Sequence, residues 1–259
     1  MPTPTQGYRT ADGKRVPGTT TILDRFKDAG GIIWWANRLA LEPLLEIRSV
    51  LVGLDNLTGP HATLDGFTDL TVQLKQFLAL DPNMWDHKLA AQKAADAGTV
   101  AHEMVECWLR KTPFDALKYP DHLREMAEPA FAAFLQWAEQ SRLEVQETEK
   151  ALVSEKYRFG GTRDAIMVSG KRAIGDWKTS NAIYPEYLCQ LAAYGLLDEE
   201  AGNTIDGGYH LVRFSKQAKP DDPVQFSHHY WSHLDAPRKA FLLMRELYDL
   251  MAQIKGLAK

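Results

Sequence analysis

Two aspartates and a lysine lie close together in the second half of the 259-residue chain, in a pattern that could bind a metal ion. Asp164 ends the segment GGTRD, and Asp176 begins the segment DWK twelve residues later. Residues two apart on a strand face the same side, so Asp176 and Lys178 should project together, with Asp164 opposite them on an antiparallel neighbour. Carboxylate oxygens suit Mg²⁺ or Mn²⁺, and a lysine beside such an ion can hold or deprotonate an attacking water.

The plainest alternative for Asp176 and Lys178 is an ordinary surface ion pair. Such a pair at the end of a strand is commonly solvated and contributes less than about 1 kcal/mol to stability. Asp176, however, follows the apolar run Ala173–Gly175, which is typical of an inner strand, where an unpaired charge is costly to bury. The sequence therefore favours a metal ion that compensates the buried charge.

Further candidate ligands lie on a predicted helix and on the strand before Asp164. On the helix predicted over 86–110, His102 belongs to an apolar stripe with Ala91, Ala95, Gly98, Val105 and Leu109. A lone inward histidine is more often a hydrogen-bonded core residue, but beside the carboxylates we interpret it as a neutral-imidazole metal ligand. Glu106 and Glu149 could reach the ions directly or through water, and each is equally consistent with a surface carboxylate or one that only contacts the ligands.

The elements that must position these residues follow from a change of hydrophobic period at Leu143. Before it, helical spacing covers 34–51, 70–80, 86–110 and about 122–141, where Pro129 should kink or split the helix. After it comes a strand with alternate residues on one side, namely Val145, Glu147, Glu149, Ala151 and Val153. A hairpin of strands 159–168 and 172–178, with a Ser169-Gly170 turn, then carries the candidate metal site.

The remaining elements complete an α/β pattern. A helix is predicted over 185–197, strands over about 208–214 and 224–231, and a C-terminal helix from Asp235. Its inward stripe should be Phe241, Met244, Tyr248 and Met251. The chain is predicted to be one domain over 1–259, with a mainly helical part over 1–142, a sheet-containing catalytic core over 143–232 and the C-terminal helix over 233–259.

The start of the chain is rich in Thr, Gly and Pro and leads through Thr19 and Thr20 into an apolar-periodic segment at Ile22. The threonines most simply belong to a loop that caps a helix. A second interpretation is that the hydroxyls and backbone amides of Thr19 and Thr20 contact phosphate.

Composition excludes several functional classes. A net charge of −4 argues against a protein that coats polyanions through clustered Lys and Arg, but it does not exclude a DNA enzyme with a carboxylate metal site. Two cysteines, Cys107 and Cys189, indicate neither a disulfide framework nor a thiolate metal site, and both are expected to be small core residues. No apolar run long enough for a membrane helix or a secretory signal occurs, which predicts a cytoplasmic protein without a membrane partner.

Four segments together resemble one family, the PD-(D/E)xK nuclease superfamily, and within it the RecB-like and phage-exonuclease branch. The resemblance extends over Val16–Tyr194, and each segment alone is a weak signal. The four segments, in the order and spacing of the family, are Gly98–His102, Gly160–Asp164, Asp176–Ser180 and Gln190–Tyr194.

This resemblance implies a restriction-endonuclease-like core, with a mixed central sheet flanked by helices and a helical N-terminal region that shapes a DNA channel. It implies Asp164, Asp176 and Lys178 as catalytic residues. One or two Mg²⁺ or Mn²⁺ ions would be held by His102, Asp164, Asp176 and the main-chain carbonyl of Trp177. Supporting roles fall to Glu106, Glu149, Thr179, Gln190 and Tyr194, and DNA contacts to Thr19, Thr20, Arg163 and Ser180.

The activity implied is metal-assisted hydrolysis of DNA, as an exonuclease that processes linear ends in phage-type recombination or repair. The implied partners are DNA and a single-strand annealing or recombination protein, with a homo-oligomer left open, in the host cytoplasm if a phage encodes the chain. With two cysteines the chain lacks the four that an iron-sulfur cluster needs, so no cluster is expected. The alternatives are a structure- or sequence-specific endonuclease and a catalytically silent DNA- or protein-binding module of the same fold.

Overall fold

The structure is a computed structural model that describes residues 4, 7–26, 87–141, 144–180, 182–215 and 225–257. The chain divides into two compact units, one formed by residues 1–27 with 96–259 and the other by residues 28–95. The sheet and all candidate site residues belong to the first unit. The helices predicted over 34–51 and 70–80 lie outside the described residues.

The described elements begin with a two-stranded ribbon, β1 (Tyr8–Arg9) and β2 (Arg15–Val16), and a short helix, α1 (Thr19–Leu23). Two long helices follow, α2 (His87–Arg110) and α3 (Asp121–Gln140), with a 3₁₀ turn at Ala116–Lys118 between them. The remaining elements, in chain order, are β3 (Glu144–Ser154), β4 (Phe159–Val168), β5 (Arg172–Lys178), α4 (Pro185–Glu200), β6 (Tyr209–Phe214), β7 (Phe226–Trp231) and α5 (Asp235–Leu257).

Within the described residues, a five-stranded sheet runs in the order β3-β4-β5-β6-β7. Strands β3 to β5 pair antiparallel, β5 pairs with β6 in parallel, and β7 returns antiparallel to β6. The parallel pair requires a crossover, and α4 supplies it. The sheet is mixed and flanked by helices, so the predicted α/β fold class with a mixed central sheet is confirmed.

Side chains from the two faces of the sheet enter separate cores. Ile166, Ile174 and Leu211 pack in a cluster with residues of α4 and α5, such as Leu191 and Phe241. Their chain neighbours Met167, Ala173 and Val212 pack in a second cluster with residues of α2 and α3, such as Val105 and Phe134. Burial of inner strands on both faces explains the apolar runs Ala165–Met167 of β4 and Ala173–Gly175 of β5.

The hairpin predicted over 159–168 and 172–178 is confirmed in both strands. The predicted alternation of β3 is wrong, because a register shift falls between Val145 and Glu147 and Ala151 is exposed. Helix α3 is continuous over Asp121–Gln140 with Pro129 inside it, so the predicted split does not occur. None of the described helices has the length and apolar character needed to span a bilayer.

The inward stripe of α5 also differs from the prediction. Phe241 is fully buried as expected, but Met251 is 40% exposed, and Arg245 takes an inward position at 7% exposure. Hydrophobic spacing did not predict Arg245 because its guanidinium packs inward only by donating to the carbonyl oxygen of Arg158, through Nε at 3.0 Å and Nη2 at 2.9 Å.

Candidate metal centre

Strands β4 and β5 bring Asp164, Asp176 and Lys178 together as the spacing predicts. The register pairs Ala165 with Gly175, which places Asp164 across from Asp176. Asp164 and Asp176 are buried, and the Lys178 side chain is 12% exposed. The Lys178 Nζ lies 2.5 Å from Asp176 Oδ2, and the main-chain N–H of Trp177 donates to Asp164 Oδ2 at 2.7 Å. The backbone therefore fixes one oxygen of Asp164 and leaves the other free to bind.

A three-residue ligand group forms at this point from three different elements. One ligand atom each from His102 on α2, Glu149 on β3 and Asp164 on β4 lie within 4.8 Å of one another. Glu149 thus joins His102 and Asp164 in this group, whereas Asp176 stands beside it as the partner of Lys178. The Trp177 carbonyl remains a predicted ligand.

Glu149 reaches the group through an unusual backbone conformation. Its φ of 49° lies in the left-handed region, which few residues other than glycine adopt. The β3–β4 register passes from Thr148–Ala165 to Lys150–Arg163, so Glu149 and Asp164 stand at the same level of the two strands. Such irregularities re-aim a side chain, and non-glycine residues are held in them where the surrounding structure fixes them.

The arrangement fits a divalent cation. Glu149 Oε2, Asp164 Oδ1 and Asp176 Oδ1 are buried and accept no hydrogen bond from any described residue. Buried carboxylate oxygens are normally paired or bound to a metal, because leaving them unpaired is costly. An imidazole nitrogen and several carboxylate oxygens at one point suit Mn²⁺ or Mg²⁺.

The pKa values express the same excess of negative charge. Burial, together with the neighbouring carboxylate of Asp164, raises the pKa of Glu149 to about 8. Burial also raises the pKa of Asp176 to about 7, against the opposing effect of Lys178, and raises that of Asp164. For Lys178, burial favours the neutral amine, but the charges of Asp176 and Asp164 prevail and raise its pKa.

Glycines in the family-like segments allow neighbouring elements to approach the centre. A Cβ on Gly160 would lie 2.2 Å from Cγ of Tyr8, and one on Gly161 would lie 2.7 Å from Oγ1 of Thr19. On α2, a Cβ on Gly98 would lie 3.0 Å from Oγ1 of Thr179, so this glycine lets the His102 helix lie against the end of β5.

The N-terminal ribbon is attached to the site strand by side chains that sequence reasoning missed or interpreted differently. The Tyr8 hydroxyl lies 2.9 Å from the Thr162 hydroxyl, two residues before Asp164. Thr19, predicted to contact phosphate, is buried and donates to the Gly160 carbonyl at 2.9 Å. A tyrosine in a short ribbon carries no sequence signal, because its contact with Thr162 spans 154 positions.

Helix α4 provides the side chains behind the lysine. Gln190 Nε2 donates to the hydroxyl of Tyr194 at 2.7 Å, and both residues are buried. Burial, together with the negative charges of Asp176 and Asp164, raises the pKa of Tyr194 well above its ordinary value. Tyr187, which the sequence did not single out, lies with its ring centroid 5.0 Å from Lys178 Nζ. The position of Tyr187, one helical turn before Gln190 on the same predicted helix, is the sequence feature that could have identified it.

The other predicted residues take different positions. The Arg163 side chain is 1% exposed and pairs with Asp198 at 2.7 Å and Glu147 at 2.6 Å, an environment typical of a structural ion pair. Glu106 pairs with Arg110 at 2.7 Å. Ser180 donates to the Ala182 carbonyl, and Thr20 is exposed in the first turn of α1.

A cleft opens beside the ligand group. It has a volume of about 540 Å³, and His102 and Glu149 stand on its wall together with residues of α2 and of the 3₁₀ turn. Cys107, expected in the core, is partly exposed in this cleft, whereas Cys189 is buried as expected. The cleft gives a substrate a route to the candidate ligands.

The chain is similar at low sequence identity to several solved structures, including exonucleases. The alkaline exonuclease of Laribacter hongkongensis matches 65% of this chain and 90% of its own, with 16% identity and a TM-score of 0.37. A provisionally assigned exonuclease from Eubacterium rectale matches 58% of this chain and 64% of its own, with 10% identity and a TM-score of 0.39. No family model and no curated protein matches the chain. Similarity at this level does not establish a shared function, which must be argued from the site itself.

Proposed function

We propose that this protein is a divalent-metal-dependent nuclease that hydrolyses phosphodiester bonds of DNA. One observation carries the proposal: buried carboxylate oxygens without partners among the described residues converge with His102 and lie beside a buried lysine. Such a constellation costs stability unless a cation occupies it, and lysine next to a carboxylate-bound cation suits attack of water on a phosphodiester.

In this proposal His102, Glu149, Asp164 and Asp176 would hold one or two Mg²⁺ or Mn²⁺ ions. A bound ion lowers the pKa of water and offsets negative charge on the phosphate under attack. The Trp177 N–H holds Asp164 Oδ2, so that Oδ1 is presented to the ligand group in a fixed orientation. These ligands come from four elements, so the site depends on the packing of α2 against β3, β4 and β5.

The role of Lys178 follows from its charge. In the metal-free protein its raised pKa favours the ammonium form, which donates hydrogen bonds. It would therefore orient the attacking water or neutralise a phosphate oxygen in the transition state. The Tyr187 ring on one side and Asp176 on the other restrict its position.

The test separates metal binding from chemistry. Lys178→Met should reduce Mg²⁺-dependent cleavage of DNA by at least about a hundredfold. It should bind Mn²⁺ at least as tightly as the wild type in calorimetry, because it removes a competing positive charge. Lys171→Met, in the exposed turn after β4, is the matched control and should cleave normally. Wild-type cleavage rates in Lys178→Met would contradict the proposal, and DNA binding without cleavage by the wild type would favour a silent binding module.

The finer form of the proposal is an exonuclease that processes linear ends for recombination or repair, alongside an annealing or recombination protein. It is supported by the sequence resemblance alone. Linear duplex and covalently closed circular DNA would be incubated with Mg²⁺, and only the linear form should be degraded, to mononucleotides. Cutting of the circle would replace the exonuclease by the endonuclease alternative while leaving the metal centre in place.

A further inference from the structure

The C-terminal helix α5 carries a continuous apolar stripe on its outer surface. Five of its aliphatic side chains are between 41% and 88% exposed, although Leu and Ile are among the residues most often buried. We call these residues the α5 seam: Leu243, Leu247, Leu250, Ile254 and Leu257.

The positions of the seam residues follow a heptad pattern. They are separated by four, three, four and three residues, which is the spacing of the core positions of a coiled coil. At about 100° per residue, the seam is centred roughly opposite Phe241 and Arg245. Because Phe241 is fully buried and Arg245 binds the Arg158 carbonyl, the rotation of α5 is fixed and the seam faces away from the described core of its own unit.

The end of α5 extends beyond the core of its own unit. Every residue from Asp249 to Leu257 is exposed, so this part of the helix has no covering partner among the described residues. A helical segment of this length is marginal in water without tertiary packing. A partner surface is therefore needed where the seam is longest and least covered.

We propose that a second copy of this chain covers the α5 seam, so that two α5 helices pair as a coiled coil related by a twofold axis. A symmetric contact requires a patch that complements itself, and an aliphatic seam with a heptad spacing does so. No charged residue interrupts it; Glu246, Asp249 and Lys255 lie beside the seam. This proposal is independent of the nuclease activity.

The exposed area is sufficient for such a contact. From their exposed fractions, the seam residues and the adjoining Met251 present roughly 600 Å² per chain, so complete burial in two copies would remove about 1,200 Å², the lower end of the range of specific interfaces. Apolar patches of this size are otherwise uncommon on monomeric proteins.

The experiment is sedimentation equilibrium of the full chain at tens of micromolar. The wild type should have twice the 29.2 kDa chain mass. Leu250→Lys places an ammonium group at the middle of the seam and should raise the Kd of the dimer at least about a hundredfold, giving a monomer. Ala252→Lys adds the same charge to the opposite side of the same exposed helical segment and should leave the dimer intact.

Three results would overturn the proposal. One is a monomeric wild type in which amides of 243–257 are protected from hydrogen exchange, since residues 27–86 of the same chain would then cover the seam. Another is a monomeric wild type with unprotected amides, which would point to a different protein as partner. The third is a dimer that survives Leu250→Lys. Circular dichroism of each variant verifies that the fold is retained.

Discussion

Two neighbouring clusters of acidic residues have opposite electrostatics: one joins β3 to α4, and the other spans β3, β4 and β5. In one, Glu147 and Asp198 receive every available pairing: Arg163, Arg172, Lys150 and Asn203 contact all four of their carboxylate oxygens. In the other, Asp164 and Asp176 have Lys178 as a nearby cation, and Glu149, Asp164 and Asp176 leave three buried oxygens without a described partner. The carboxylates of the first cluster are all paired within the protein, whereas those of the second need an added cation.

The two clusters show how a structural ion-pair cluster differs from a binding site. Glu147 and Glu149 are two residues apart on β3, yet arginine partners lower the pKa of one to about 2 despite partial burial, and burial raises that of the other to about 8. A fold gains from the first arrangement and is destabilised by the second. A buried acidic residue therefore does not by itself indicate a binding site. A buried acidic residue whose charge no protein group compensates does indicate one.

The largest expected effect comes from neutralising the uncompensated cluster. Asp164→Asn keeps an oxygen to accept the Trp177 N–H but removes a ligand charge, so DNA cleavage should fall at least about a thousandfold. Because the raised pKa of Asp164 reflects an unfavourable charge, the metal-free variant should unfold at the same or a higher temperature than the wild type. Mn²⁺ should raise the melting temperature of the wild type and not of the variant. A large loss of stability without metal would erase the contrast between the clusters.

Asp198→Asn makes the corresponding change in the cluster whose carboxylates are fully paired. It leaves the Arg163 guanidinium buried without its main countercharge and should lower the free energy of unfolding by about 3 kcal/mol. Cleavage per folded molecule should change little, because no residue of the ligand group is touched. Urea denaturation and single-turnover cleavage measure the two quantities. A variant as stable as the wild type would show that the ion pairs add nothing.

The pH dependence of metal-free stability should separate Glu149 from Glu147. Since folding raises the pKa of Glu149, its contribution is fully present below about 4.5 and is lost as the pH rises toward about 8. Since folding lowers the pKa of Glu147, its contribution is present above about 4.5 and is lost as the pH falls toward about 2. In a profile of unfolding free energy against pH, measured with a metal chelator present, Glu149→Gln should reduce only the change above about pH 4.5. Glu147→Gln should reduce only the change below about pH 4.5. Identical profiles for the two variants would contradict the assignment.

The smallest expected effect concerns the ring beside Lys178. Tyr187→Leu keeps the bulk but removes the aromatic face, and a partly exposed cation–π contact contributes about 0.5 to 1 kcal/mol. Cleavage should therefore slow by a few fold with metal affinity unchanged. Tyr230→Leu, at an exposed tyrosine of β7, is the control. Equal rates for both variants would remove Tyr187 from the site.

The sequence predicts the hairpin and its three central residues well because the information is local. A short turn between strands of known period limits which residues can face each other. The connection has three residues, Ser169–Lys171, one more than the predicted Ser169-Gly170 turn, and it places Asp164 across from Asp176. The inward position of His102 followed in the same way from helical period. These short-range patterns are therefore enough to predict which residues meet at the centre of the site.

Long-range pairing is what the sequence could not predict. The family resemblance implied a DNA contact for Arg163, which stands next to Asp164, but its partner Asp198 lies 35 positions away on another element. The place of Glu149 depends on a local backbone distortion that breaks the alternation on which strand predictions rely. Tyr8 reaches Thr162 only because the N-terminal ribbon folds back over Gly160.

The left-handed backbone at Glu149 has an evolutionary consequence. Glycine or asparagine would adopt a φ of 49° at lower cost, so the glutamate is retained against a local penalty of about 1 kcal/mol. A population selected only for thermal tolerance in a metal-chelating medium should therefore replace Glu149 early. Lineages that drift away from catalysis would lose this residue before Asp164, which the Trp177 N–H also anchors.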